Sequence, residues 1–404
     1  MISFFVIVKS ALCDRPKTGF WVTGVSLLVL AGCLLLGFSE ARHRALWNDE
    51  YYSQLSSVYN ISYQDQFLGK IGEGNNTPLF YVLEKLFLQL IHYQVPAQWL
   101  QGHWYSDAPS QLLLRINPVF FMSLSVAAVF YFFSQEFSLG IGFYSLFIYF
   151  SSYMLWAYWA EARPYAMIVF LTTVQSLLFL KAMQGAQGFN RIWKWLVLVH
   201  LLMGFTFIFS VGLILAVSLL VWWMIDRDWK KYFFLTLLPI AVSLFYYVHA
   251  PKYDFFFGSL SPEQLIRDNI SRQRFDILFI FFIFLSVYFW GQKKQVLKCT
   301  PGKEILKPVP YVVFMITALA SSAVVLVLFA LHAKGNQGFP ITSRYFIYLT
   351  PIGVIATTIL TVSLIKSLSK HLLMRGVLIG LIGLLLAQQF FKIVPKAVHS
   401  IMGT

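Results

Sequence analysis

The sequence is poor in charged residues and in cysteine, and both shortages narrow what the chain can be. Only 12% of its 404 residues are charged, whereas 58% are hydrophobic and 18% are aromatic. A soluble domain could not hide that much apolar surface, so a soluble enzyme is excluded. Cys13, Cys33 and Cys299 are too few and too scattered for a disulfide framework or a metal site.

Motifs for nucleotide and metal chemistry are also missing. The sequence contains no GxxxxGK[ST] phosphate loop, no Gly-rich dinucleotide motif and no HExxH helix. Ionisable residues are scarce away from the ends of the apolar runs, with His200 as the main exception. An ion-coupled transporter is expected to bury acids or bases near mid-membrane. His200 is more typical of a packing or hydrogen-bonding residue than of a ligand.

Apolar runs long enough to cross a bilayer are what the sequence does contain. Backbone polar groups must be satisfied internally in hydrocarbon, and these runs lack the alternation of barrel strands, so they predict helices. We therefore predict an all-α, polytopic integral membrane protein: one domain over 1–404, with about 11 transmembrane helices and no separate soluble domain. The predicted crossings are 19–38, 113–133, 139–157, 164–182, 192–206, 209–225, 232–249, 276–291, 309–332, 344–365 and 373–392.

The net charge of +14 is explained by topology rather than by a nucleic-acid partner. The lysines and arginines lie in short loops, where they fix orientation beside membrane lipids. The stretch 78–93 is short and carries Glu84 and Lys85 in its middle. If it crossed, the basic loops would fall opposite the basic N-terminus. We therefore predict a juxtamembrane helix at the outer interface, within a first extracytoplasmic loop at 39–112.

Two acidic residues stand just outside the first predicted crossing. Asp49 and Glu50 are bracketed by aromatic residues in the segment 46–52. Carboxylates at this boundary can act as a general base or as ligands of a cation. The alternative is an interfacial aromatic belt with two solvated acids.

Basic residues in the other outer segments extend this pattern. Arg163 at a helix mouth can pair with Glu161, fixing the helix ends, or can grip a phosphate with its planar fork. Further outer positive charges run against the usual bias and favour binding of an anionic headgroup. These are Lys252, Arg267, Arg272, Arg274, Lys334 and Arg344.

Four segments together resemble the GT-C class of membrane glycosyltransferases, specifically bacterial relatives of the dolichyl-phosphate-mannose-protein mannosyltransferases and of the aminoarabinose transferase of lipid A. Segment 46–52 resembles the acidic motif of the family and 75–81 its His-Pro-Pro-Leu-Tyr-Tyr motif. Segment 159–165 resembles its Gln-Glu-Ala-Arg-Pro-Tyr motif and 343–345 its late Arg-Tyr motif. Asn76 and Thr77 depart from the family by replacing its His-Pro.

The resemblance implies an inverting transfer of a hexose or pentose from a polyprenyl-phosphate donor to a hydroxyl of a lipid, glycan or protein. The active site would face the extracytoplasmic side of a bacterial inner membrane. By this resemblance the catalytic residues are Asp49 and Glu50. The residues expected to bind the donor phosphate are Arg163, Arg344 and Arg272. The residues expected to support the site are Glu161, Tyr52, Asn76, Tyr165 and Tyr345.

Three points stay open at this level. A divalent cation, if one is used, would take Asp49 and Glu50 as ligands. A transporter or flippase component could bind the same polyprenyl-linked or anionic headgroups without chemistry. A structural membrane protein with no small-molecule site is the third reading.

Overall fold

The described part of the chain is a bundle of helices. The structure is a computed structural model and describes residues 19–72, 76–183, 186–249, 343–367 and 391. This part contains no strand beyond an isolated antiparallel bridge between Asn76 and Phe207. Four of its helices are long and apolar enough to cross a membrane. The all-α class and the membrane assignment are confirmed at this level. The predicted crossings 276–291, 309–332 and, apart from residue 391, 373–392 lie outside the described residues, so the count of 11 crossings stays a prediction.

Fourteen α-helices make up the described part. They are α1 Gly19–His43, α2 Asn48–Ser53, α3 Tyr63–Phe67, α4 Leu79–Leu90, α5 Ala97–Leu100, α6 Ala108–Leu113, α7 Ile116–Glu136, α8 Leu139–Phe150, α9 Tyr153–Tyr158, α10 Tyr165–Ala182, α11 Ala186–Gly204, α12 Val211–Met224, α13 Trp229–His249 and α14 Leu349–Ser367. A π-helix, Gln54–Tyr59, continues directly from α2. Short 3₁₀ turns at Ile208–Ser210 and Ser343–Phe346 precede α12 and α14.

The predicted crossing 139–157 is broken into two helices. Helix α8 ends at Phe150, and α9 begins at Tyr153 after two serines. The Ser151 hydroxyl donates to the Ile148 carbonyl at 2.7 Å. Serine side chains compete for backbone groups in this way, which favours a helix end over continuation.

Helix α7 lies at the centre of the bundle, packed against α1, α8 and α10. Most of its residues are buried, and α10 in turn packs against α11 and α14. Gly37 lets α1 approach closely, since a Cβ there would lie 2.6 Å from Trp159 Nε1 and 2.7 Å from Val119 Cγ1. Small residues at such crossings are the usual means of close helix packing in membranes.

Contacts near the helix termini define two opposite ends of the bundle. At one end, Arg115 just before α7 donates to the carbonyl oxygens of Ala41 and Ala45, at and beyond the end of α1. At the other end, Lys181 Nζ lies 2.5 Å from Glu136 Oε1, joining the ends of α10 and α7. We call the first of these the site end.

Helix α4 is too short to cross in a straight path. Its 12 residues extend about 18 Å, against about 30 Å of hydrocarbon. One face buries Phe80, Tyr81 and Glu84, while Leu86 and Leu90 are exposed. An amphipathic helix is thus present within the predicted stretch 78–93, and its place at the outer interface of the membrane stays a prediction.

Candidate functional site

One carboxylate at the site end is held by two arginines from distant parts of the chain. Asp49 lies in the first turn of α2, and its Oδ2 accepts from Arg163 Nη1 at 2.9 Å and from Arg344 Nη1 at 2.7 Å. Arg163 precedes α10, and Arg344 lies in the 3₁₀ turn before α14. The Asp49 side chain is 35% exposed, whereas Arg163 is 5% and Arg344 17% exposed. We call these three residues the Asp49 cluster.

The cluster has more positive than negative charge. Two guanidinium groups converge on one carboxylate oxygen, so these three side chains sum to one positive charge, which the neighbouring Glu161 offsets when it is ionised. Among the described residues none bonds to Asp49 Oδ1 or to Arg344 Nε. The arrangement can therefore accept a proton on one oxygen and bind an anion with the arginines.

Aromatic rings hold both guanidinium groups in place. The Arg163 guanidinium lies 5.1 Å from the centre of the Tyr165 ring. The Arg344 guanidinium lies 5.6 Å from the rings of both Trp47 and Tyr345. Such cation–π contacts, together with burial, restrict the arginine rotamers and fix their forks toward Asp49.

Glu50 points away from the cluster into a fully buried ion pair. Its Oε1 accepts from Arg115 Nε at 2.9 Å and from the Ala162 amide at 2.7 Å. Its Oε2 accepts from Arg115 Nη2 at 2.6 Å and from the Trp47 amide at 3.2 Å. Both oxygens are thus used in joining α2 to α7 and to the segment that carries Arg163. This geometry suits a positioning group rather than one that contacts a substrate.

Sequence reasoning missed Arg115, although a signal was present. The residue is fully buried, and it also donates to the carbonyl oxygens of Ala41, Arg44 and Ala45. A lone arginine interrupts the apolar run Leu112-Leu113-Leu114-Arg115-Ile116. An isolated charge in such a run requires a buried partner, and Glu50 is that partner.

Glu161 lies beside the cluster as a buried acid. Its Oε1 is 3.6 Å from Arg163 Nη1, and neither of its oxygens accepts a hydrogen bond from a described residue. Burial raises the pKa of Glu161 to about 7, with Arg163 lowering it and Glu50 raising it further. The carboxyl therefore changes its charge near neutral pH, directly beside an arginine of the cluster.

The other predicted site residues have separate places. Asn76 is buried and donates its Nδ2 to the Tyr81 hydroxyl at 3.0 Å. Its segment joins the loop after α11, because the Leu79 amide donates to the Phe205 carbonyl at 2.8 Å. Tyr52 is half-buried on α2 and joins no described ion pair or ring contact of the Asp49 cluster. Arg272, with Lys252, Arg267, Arg274 and Lys334, lies outside the described residues.

The described residues offer no obvious cation site. Within residues 19–249, less the short gaps, and 343–367, no three side chains of His, Cys, Asp or Glu are grouped as metal ligands. Asp49 and Glu50, the expected ligands, are both engaged by arginines. His200 is buried and hydrogen-bonded to Gln175 and to the Leu235 carbonyl, as expected of a structural histidine.

Comparison of the chain with protein-family models and with curated proteins gave no match. The geometry of the Asp49 cluster and the resemblance of its segments therefore carry the functional argument.

Proposed function

We propose that the chain is an inverting glycosyltransferase that moves a monosaccharide from a polyprenyl-phosphate donor to a hydroxyl acceptor. The proposed place of reaction is the extracytoplasmic face of a bacterial inner membrane. The observation that carries this proposal is the Asp49 cluster: a partly exposed carboxylate held by Arg163 and Arg344 at one end of an apolar bundle. It combines a proton acceptor with anion-binding groups where an apolar lipid tail can reach.

The charge of the cluster suits the donor. A polyprenyl-phosphate sugar is a phosphodiester with one negative charge, and the Asp49 cluster carries one positive charge in excess while Glu161 is protonated. Arginine forks match phosphate oxygens, and Arg344 Nε has no partner among the described residues. Asp49 is held through Nη1 of each arginine, so phosphate binding would use the remaining nitrogens of the guanidinium groups or replace Asp49 at Nη1.

In the proposed reaction, the acceptor oxygen attacks the anomeric carbon on the face opposite the phosphate. Its proton passes to Asp49, while the bond between the anomeric carbon and the phosphate oxygen breaks and its electron pair leaves with the polyprenyl phosphate. Arg163 and Arg344 stabilise the negative charge that develops on this leaving group. A positioned base of this kind contributes on the order of 10²- to 10⁴-fold in rate. Attack from the opposite face inverts the anomeric configuration.

The opposite end of the bundle supports this orientation. The ends of α10, α12 and α13 there carry basic residues, among them Lys181, Arg227, Lys230 and Lys231. Basic loops favour the cytoplasmic side, so the Asp49 cluster would face outward. A lipid-linked donor needs no nucleotide sugar on that side.

The test is transfer of radiolabelled sugar from a panel of polyprenyl-phosphate monosaccharides to membrane extracts, using the purified chain in nanodiscs. We expect transfer by the wild-type chain and at least a hundredfold loss in Asp49→Asn. Asp65→Asn is the matched control, because Asp65 is an exposed carboxylate of the same loop that pairs only with Lys70 and Ser62 among the described residues. No transfer from any donor would favour a headgroup transporter, and transfer retained in Asp49→Asn would place the base elsewhere.

A further inference from the structure

A groove opens between the π-helix and α4, on another face of the helix that carries Asp49. Its volume is about 320 Å³. The apolar walls are Val58, Leu88 and Val95, and the polar residues that line the groove are Gln54, Tyr59, Lys85, Gln89, His92, Tyr93 and Gln94. The groove belongs to none of the contacts described above for the Asp49 cluster.

Gln54 is the buried polar group of this groove. Its side chain is only 1% exposed, and its Nε2 donates to no acceptor among the described residues. Leaving a buried donor unpaired costs about 1–3 kcal/mol. Because Nε2 is closed to solvent, the Gln54 amide must turn toward the groove before a ligand oxygen can supply the missing acceptor.

The backbone around the groove is unusual in two places. Gln54 begins a six-residue π-helix, a rare element that is frequent at functional sites. His92, also in the groove wall, has a φ of 54°, a left-handed conformation that is uncommon for a residue other than glycine. Strained backbone of this kind persists where the surroundings over-determine it, and it clusters at binding sites.

The lining chemistry suits a neutral ligand rich in hydroxyl groups. Among the described lining residues none is acidic, so the groove does not suit a cation. Lys85 donates to the Ile61 carbonyl and lies 5.0 Å from the Tyr63 ring, so part of its hydrogen-bonding capacity is already used. The amides of Gln54 and Gln94 can donate to and accept from hydroxyl groups, and tyrosine rings offer apolar faces.

We infer that this groove binds a neutral glycan portion of the acceptor, an inference that rests on the proposed glycosyltransferase function. Gln54 lies five residues after Asp49, about 7 Å along the helix axis and about 140° around it. The groove would therefore hold a sugar remote from the reacting hydroxyl. Binding of such remote parts of a substrate can position the reacting group.

The test measures glycan binding directly, without turnover. The full chain in phospholipid nanodiscs, free of sugar-headed detergent, is titrated with a panel of neutral linear oligosaccharides of different lengths by saturation-transfer NMR. Gln54→Leu removes the unpaired donor, and Gln94→Trp fills the groove from an exposed position. Gln98→Trp is the control, because Gln98 is an equally exposed glutamine that does not line the groove.

We expect at least one oligosaccharide to bind the wild-type chain and Gln98→Trp with similar affinity. Binding to Gln54→Leu and Gln94→Trp should be at least tenfold weaker. No binding to the wild-type chain, or equal binding to Gln94→Trp, would overturn the inference. If binding follows this pattern while sugar transfer is absent, the groove stands as a glycan site and the proposed transferase function fails.

Discussion

Removing Arg115 should destabilise the protein more than any change to a surface ion pair. In Arg115→Met, the buried carboxylate of Glu50 keeps its two backbone donors but loses its counter-charge. The carbonyl oxygens of Ala41 and Ala45 lose a donor as well. Breaking a buried pair by removing one partner costs about 3–5 kcal/mol, so we expect the free energy of unfolding to fall by that amount.

The measurement is the free energy of unfolding by steric trapping in bicelles. Lys70→Ala serves as the control, because the Lys70–Asp65 pair is exposed and its loss should have little effect. The double variant Glu50→Gln with Arg115→Met should recover part of the loss, since no uncompensated charge then remains buried. A value for Arg115→Met as small as that for Lys70→Ala would refute the idea that this pair holds the site end together.

Two further predictions concern buried carboxyl groups whose pKa is raised. Glu161 ionises near pH 7 beside Arg163, and its negative charge then opposes the binding of an anionic donor. The affinity of the protein for a polyprenyl-phosphate sugar, measured by titration calorimetry, should therefore fall several-fold between pH 6 and pH 8. The affinity of Glu161→Gln should not change over this range. Burial also raises the pKa of Glu84 to about 8, so the folded state retains a proton that the unfolded chain loses above about pH 4.5. The contribution of Glu84 to stability should then be greatest at low pH and fall by up to about 1.4 kcal/mol per pH unit toward pH 8. Glu84→Gln should remove this contribution in unfolding measured across pH 5 to 8, while the slope due to Glu161 up to about pH 7 remains.

Much of the helical layout could be predicted from apolar runs and charges alone. The crossings predicted at 113–133, 164–182 and 232–249 correspond to α7, α10 and α13 with differences of a few residues. The short α4 was predicted from Glu84 and Lys85, because charges in the middle of a crossing are costly. Length, apolar composition and charge are local properties, so they can be read directly from sequence.

The pairing within the site could not be predicted in the same way. The topology predicted from the sequence placed Asp49, Arg163 and Arg344 on one side of the membrane. It could not show that both arginines contact the same oxygen of Asp49. That contact depends on how α10 and α14 pack, which no local pattern encodes. The same holds for Glu50, whose orientation toward Arg115 is set by a partner 65 residues away.

The π-helix shows another limit of local patterns. Its residues Gln54–Tyr59 read as a continuation of α2, and no proline or glycine marks the change in hydrogen bonding. The change is stabilised by neighbours, since the Gln66 amide donates to the Ser57 carbonyl at 2.7 Å and the Ser57 hydroxyl accepts from the Gly72 amide at 3.0 Å. Contacts with residues outside the segment, one from a side chain and one from a backbone amide, thus support the π-helical hydrogen bonding.

The excess charge of the Asp49 cluster leads to a prediction that separates binding from chemistry. Asp49→Asn raises the net charge of the cluster from one to two positive charges, so an anionic donor headgroup should bind more tightly even as transfer is lost. Because Asp49 is about one third exposed, solvent screens this effect, and we expect an increase on the order of tenfold in affinity. The measurement is binding of a polyprenyl-phosphate sugar in nanodiscs, with Asp65→Asn as the control for loss of one carboxylate. If Asp49→Asn instead weakens donor binding, Asp49 contacts the donor itself, and the role of Arg163 and Arg344 as the phosphate site must be abandoned.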